Sequence, residues 1–247
     1  MEKYPKLASF HTLTREILQT VEQSSLKHLI YQSNLKTLAQ TLEPQLRQLA
    51  SCYQAQNELI QPLTGNYHRG VKAQYLNHRK SSANRPLAYD GSIIYPGRFH
   101  LQGQPTLYFA SRAKTVIDEL KMEDGLYPPT TLMEFHVQLQ RVLHLDTEER
   151  MRSTKISRDL CEEEWKYMND LLGIHAYPQL LSDQFVQLGY EGVLVRSTRS
   201  RCDLCLVVFV NNLLKGSSIR LVGNPEKLKR DNKILKQNQK LLGFKSD

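Results

Sequence analysis

The chain has no apolar run approaching the roughly 20 residues that a helix needs to cross a bilayer, so no membrane association is expected. Its first stretch, MEKYPKLASF, has no apolar signal core, which argues against secretion. Cysteine is sparse, at four in 247 residues. That is too few for a disulfide framework, and a reduced, cytoplasmic protein is the simpler expectation. Cys202-Asp203-Leu204-Cys205 is a single CxxC with no second ligand pair, and Cys52 and Cys161 stand alone, so no metal is expected. There is no P-loop, no GxGxxG after a strand, no HExxH and no GxSxG, which removes the common nucleotide-fold, zinc-protease and esterase readings. Acidic residues are outnumbered, 25 against 33 basic, for a net charge of +8. The excess suggests an anionic partner, but part of it sits in Lys227–Lys245 and says little about the centre of the chain.

What is present is ordinary globular composition, 40% hydrophobic and 23% charged, enough for a sizeable core. Residues 1–60 read as a helical extension. Phe10, Leu13, Ile17, Leu18 and Val21 recur at helical spacing, and a second apolar series runs from Leu26 to Leu46. The two could make a helical hairpin or a docking arm; amphipathic helices covering the main domain are the simpler account, and a surface for self-association into a homo-oligomer or for a partner is the other. Composition shifts at Pro62-Leu63-Thr64-Gly65, and residues 61–225 read as the main domain. NYHRGV is a short strand, and residues 77–86 a polar loop. Thr131–Leu145 alternates as a strand, Asp146–Lys155 reads as a charged connector, and Leu160–Leu172 and Pro178–Leu188 read as helices. Gly192–Val195 and Cys205–Val210 lack polar alternation, as expected of strands buried on both faces. Residues 226–247 form a basic tail, whose Ile234, Leu235, Leu241 and Leu242 favour a surface helix over a nucleic-acid arm.

The chain is organised around Tyr95–Leu120. Pro96-Gly97 and Gly103 to Pro105 make turns, Thr106–Phe109 is β-prone, and Ser111 can cap a helix running to Leu120. Arg98, Tyr108 and Glu119 offer a cation, an aromatic hydroxyl and a carboxylate, which suits an anionic substrate containing a ring.

NYHRGV, PGRFHLQGQPTLYFASRAKTVIDE and GYEGVLVRSTRSRCDLCLVVF resemble, in order and spacing, the three motif blocks of the RES domain family. The arginine, glutamate and serine that name the family would be Arg69, Glu119 and Ser197, and its pattern also marks Arg98 and Tyr108. This chain has Pro96 where the family usually has Gly, and Phe99-His100 where it usually has Trp-Asn. The resemblance implies an α+β fold with an ADP-ribosyltransferase-like split β core and surrounding helices. It also implies an NAD-degrading enzyme, commonly the toxin of a toxin–antitoxin pair, whose partner is usually a helix-turn-helix antitoxin.

On that resemblance, NAD is a substrate and no cofactor is needed. Arg69 and Arg98 would clamp its diphosphate or ribose, because a guanidinium fork suits phosphate oxygens. Tyr108 would stack on a ring. Glu119 would stabilise the oxocarbenium-like transition state as the nicotinamide–ribose bond breaks, with Ser197 orienting it. His68 and His100 are second-rank site candidates. Water, phosphate or a macromolecule as acceptor would make the enzyme a glycohydrolase, a phosphorolase or an ADP-ribosyltransferase. A non-catalytic nucleotide-binding or interaction module is the other class.

Overall fold

A computed structural model describes residues 27–72, 87, 89–121, 127–128, 130–162, 165–200 and 202–223. The expected Phe10–Val21 helix, the 77–86 loop and the basic tail lie outside the described residues. The architecture is α+β: a curled sheet with helices packed against its outer face. No helix among the described residues is long and apolar enough to cross a membrane.

Helix α1 (Lys27–Ser51) carries the second apolar series. Leu42, Leu46 and Ala50, spaced four apart, are buried in the core shared with α7 (Tyr177–Gln187). Glu43 ties the two regions together, accepting from Arg47 at 2.6 Å and lying 3.0 Å from His175 Nδ1.

Strand β1 (Ile60–Lys72) is twice the length its NYHRGV motif suggests, and it begins before the composition shift at Pro62. Its register slips between Gln61 and Leu63, where Pro62 has no N–H to give the ladder. It pairs antiparallel with β3 (Thr130–Leu145) from Ile60↔Leu143 to Lys72↔Thr130. Strand β2 (Thr106–Ala110) pairs with β5 (Leu204–Phe209), and β5 with β4 (Gly192–Arg196), all antiparallel. Strand β4 returns parallel to β3 through Val142↔Gly192 to Leu145↔Val195. Strand β1 meets β2 through one pair, His68↔Ala110. The five strands therefore close into a ring with one thin seam, and β6 (Ser218–Leu221) adds to the remaining edge of β3.

Both sheet faces are apolar. Leu63, Tyr67, Phe109, Phe135, Leu194 and Leu206 fill the inside of the ring. Val193, Val195, Val207 and Phe209 face outward onto α1 and α7. The alternation of Val193 and Val195 with Leu194 explains the unbroken apolar runs of β4 and β5: each successive residue enters a different core.

Several local expectations change. The connector at 146–155 contains α4 (Glu148–Ser153), whose N-cap Thr147 accepts from Arg150 N at 3.2 Å. The helix expected over 160–172 is described as α5 (Arg158–Glu162) and α6 (Trp165–Asp170). Ser111 does not cap α3 (Ala113–Leu120); its hydroxyl accepts from Leu204 N at 3.1 Å and anchors the helix start to β5. A short helix α2 (Asp90–Ile94) precedes the Pro96-Gly97 turn.

Gly192 has a packing reason to be glycine, since a Cβ there would lie 2.4 Å from the Val207 carbonyl oxygen. Backbone inside a closed ring cannot easily withdraw. Gly192→Ala is expected to destabilise the fold by about 1–3 kcal/mol, read as a lower melting temperature, whereas Gly91→Ala, with open space around it, is expected to shift it little.

Candidate functional site

The site forms over the β1–β2 seam. Successive strand residues face opposite ways, so His68 and Gly70 point outward while Tyr67, Arg69 and Val71 point into the ring. Gly70 lets α3 lie close: a Cβ there would be 2.6 Å from Val116 Cγ1 and 2.7 Å from Leu120 Cδ1. The other side of α3 is pinned by Thr115, fully buried, which donates to Asp203 Oδ2 at 2.6 Å. Ser200 donates to the same oxygen at 2.8 Å, and Arg112 Nε lies 3.3 Å from the other. The Thr115 hydroxyl, followed by that of Ser200, lowers the Asp203 carboxyl below its usual range, so it stays ionised in this role.

Thr115 and Glu119 are four residues apart and share a helix face. The face that meets the β4–β5 loop therefore also presents Glu119 to it. Ser197 donates to Glu119 Oε1 at 2.5 Å. The serine is 4% exposed, and its oxygen accepts from the backbone N–H groups of Arg199 (3.1 Å) and Ser200 (3.0 Å). This turn directs the hydroxyl proton toward Glu119. The Cys205 thiol lies 3.9 Å from the same carboxylate oxygen. Burial, and then the Glu119 charge, push that thiol up to about 12, so it is a neutral neighbour and no nucleophile.

The turn after α2 supplies the opposite charge. Arg98 donates to the Cys161 carbonyl at 2.8 Å, which tethers its head to α5. Gly97 and His100 exchange backbone hydrogen bonds, and a Cβ on Gly97 would lie 2.3 Å from the His100 ring. The Tyr108 hydroxyl accepts from Phe99 N at 3.0 Å and lies 2.8 Å from His100 Nδ1. His100 Nε2 lies 2.9 Å from the Tyr95 carbonyl, an acceptor only, so Nε2 carries the proton. In the neutral ring Nδ1 then accepts, and Tyr108 is the donor. Behind the turn, Gln179 is fully buried and donates to the Gly97 carbonyl at 2.9 Å.

A cleft of about 1610 Å³ opens between α3, the Arg98 turn and the β4–β5 loop. That exceeds the roughly 300–1,000 Å³ of an ordinary small-molecule pocket and suits an extended ligand. Arg98, Tyr108, Glu119, Ser197 and His68 all line it. Arg69 and His100 do not. Arg69 faces into the ring, where burial pushes its guanidinium down to about 10. His100, 4% exposed, acts through Tyr108 and Gly97. Thr115, Asp203 and Gln179 escaped sequence reasoning. Each acts through a partner more than 80 positions away, and no local pattern marks such pairings. The opposite wall, Arg158, Glu162 and Trp165, was also missed. There Glu162 at 2.6 Å, together with Glu148, balances Arg158.

Burial lowers the His100 pKa below its ordinary 6.5, and the Tyr95 carbonyl only partly offsets this. The unfolded chain therefore binds this proton first. The neutral ring contributes stability that is present above pH 6.5 and is lost as pH falls below it toward the folded-state value. Unfolding midpoints in denaturant should decline from pH 7 to pH 5, and His100→Asn should flatten that decline.

A family model described as RES domain matches residues 72–231, more than half of the chain. The match contains Arg98, Tyr108, Glu119 and Ser197, and begins just beyond His68 and Arg69. No curated protein matches. Among solved structures, the chain is similar to one titled "Crystal structure of the M.tuberculosis MbcT-MbcA toxin-antitoxin complex", with 16% identity and a TM-score of 0.49 over 75% of this chain and 95% of that one. With the three motif blocks, the cleft they build and a family match spanning its carboxylate and serine, the chain belongs to the RES domain family.

Proposed function

We propose that the protein is an NAD-consuming enzyme that breaks the bond between nicotinamide and ribose, on an ADP-ribosyltransferase-like split β core. The observation that carries this reading is the Glu119 carboxylate, held by Ser197 in the same cleft as Arg98. Nicotinamide departs as a neutral base, so no general acid is required. The demand falls instead on the ribose, which gains positive charge as the bond breaks. A fixed carboxylate against the ribose hydroxyls orients the sugar and stabilises that charge.

Arg98 is the diphosphate clamp in this reading, and Arg69, turned into the ring, supports the strand instead. The Tyr108 ring packs against the ligand, while its hydroxyl serves His100 and Phe99. Ser197 is a positioning residue, since its proton is already given to Glu119. Water as acceptor yields ADP-ribose, phosphate yields a phosphorylated ADP-ribose, and a macromolecule becomes ADP-ribosylated. In the cell, the family resemblance supports a toxin restrained by an antitoxin protein.

Incubation of the purified chain with NAD, with and without phosphate, should release free nicotinamide. The partner product then identifies the acceptor. Unchanged NAD with saturable binding would instead mark a binding module. Arg98→Ala should raise KM by roughly tenfold or more, as expected for loss of a charge-assisted clamp, in initial-rate measurements.

A further inference from the structure

We propose that Trp165 is the platform on which the adenine end of the dinucleotide stacks, an inference that rests on NAD being the substrate. Trp165 is the only tryptophan in the chain. It opens α6, is half-buried, and lines the same cleft as Glu119. Its side chain packs against the buried cluster to which α1 and α7 contribute, which gives it a fixed seat on the cleft wall.

Contacts along the cleft wall link these groups in turn. Glu119 lies 3.9 Å from Cys205, which is paired across the sheet close to Tyr108, at the register Tyr108↔Val207 and Ala110↔Cys205. The Tyr108 hydroxyl holds the turn that carries Arg98. Arg98 reaches across to the Cys161 carbonyl on α5, four positions before Trp165 in the chain. Followed through these contacts, the groups run carboxylate, guanidinium, indole. A nicotinamide dinucleotide presents riboside, diphosphate and purine in the same order. With the ribose at Glu119 and the diphosphate at Arg98, the purine arrives at the α5–α6 wall. An indole face binds a purine by stacking, which needs no match of hydrogen bonds. Lys166 and Asp170, both exposed on α6 and lining the cleft, offer a donor and an acceptor for the purine edge or the second ribose.

With one tryptophan, fluorescence excited at wavelengths that tyrosine does not absorb reports this position alone. The experiment uses the full-length Glu119→Gln protein, in which NAD should persist long enough to titrate, with binding measured in parallel by calorimetry. NAD and AMP should each quench the emission saturably, and nicotinamide mononucleotide should not. In the otherwise unaltered enzyme, Trp165→Ala should raise KM for NAD roughly tenfold with kcat kept within about twofold, and Trp165→Phe should restore most of the loss. AMP binding without a change in emission, or an unchanged KM in Trp165→Ala, overturns the platform while leaving NAD turnover by the unaltered enzyme intact. Failure of the chain to bind or consume NAD overturns the platform and the functional reading together.

Discussion

The hydrogen bond from Ser197 to Glu119 is the contact on which the rest of the site depends. It joins a helix that follows β2 to a loop that follows β4, and neither element would hold the carboxylate alone. The helix is brought into place by Gly70, whose missing side chain lets Val116 and Leu120 close on β1. The loop is brought into place by Asp203, which gathers Thr115, Ser200 and Arg112 around one carboxylate. Ser197 in turn has its lone pairs occupied by two backbone N–H groups, leaving its proton one direction to take. A small set of packing and hydrogen-bond constraints thus converts an exposed helix glutamate into a fixed charge.

The closed ring explains why the site lies where it does. Four of its five junctions are ladders of four or more pairs, and the fifth, between β1 and β2, is a single pair. Beside this seam the outward-facing His68 and Gly70 of β1 line the cleft, and α3 packs over Gly70. The turn is itself held from behind by Gln179 and from beneath by the Tyr108–His100 pair. His100 fixes the turn through Tyr108 and the Tyr95 carbonyl without entering the cleft.

Much of this arrangement was legible in the sequence. The strands 106–110, 130–145, 192–196 and 204–209 announce themselves by β-branched alternation or unbroken apolar runs. Tyr95–Leu120 reads correctly as turn, strand and helix, and its Arg98, Tyr108 and Glu119 share the cleft. The remainder was hidden for physical reasons. Strand β6 is four residues long and shows no period. The orientation of Arg69 depends on the register of β1 against β3, since one residue of slip would exchange it with His68. Gln179, Thr115 and Asp203 look like ordinary polar residues until the fold brings distant partners to them. Trp165 was visible as a residue, but its place on the cleft wall depends on how α5 and α6 pack.

The central claim is that Glu119, oriented by Ser197, stabilises the ribose as its bond to nicotinamide breaks. Its most direct test is single-turnover release of nicotinamide from NAD by Glu119→Gln, Ser197→Ala and the double variant. The account predicts a loss of roughly 10²-fold or more for Glu119→Gln, a smaller loss for Ser197→Ala, and no further loss when the two are combined. A Glu119→Gln enzyme that releases nicotinamide at the unaltered rate would contradict it.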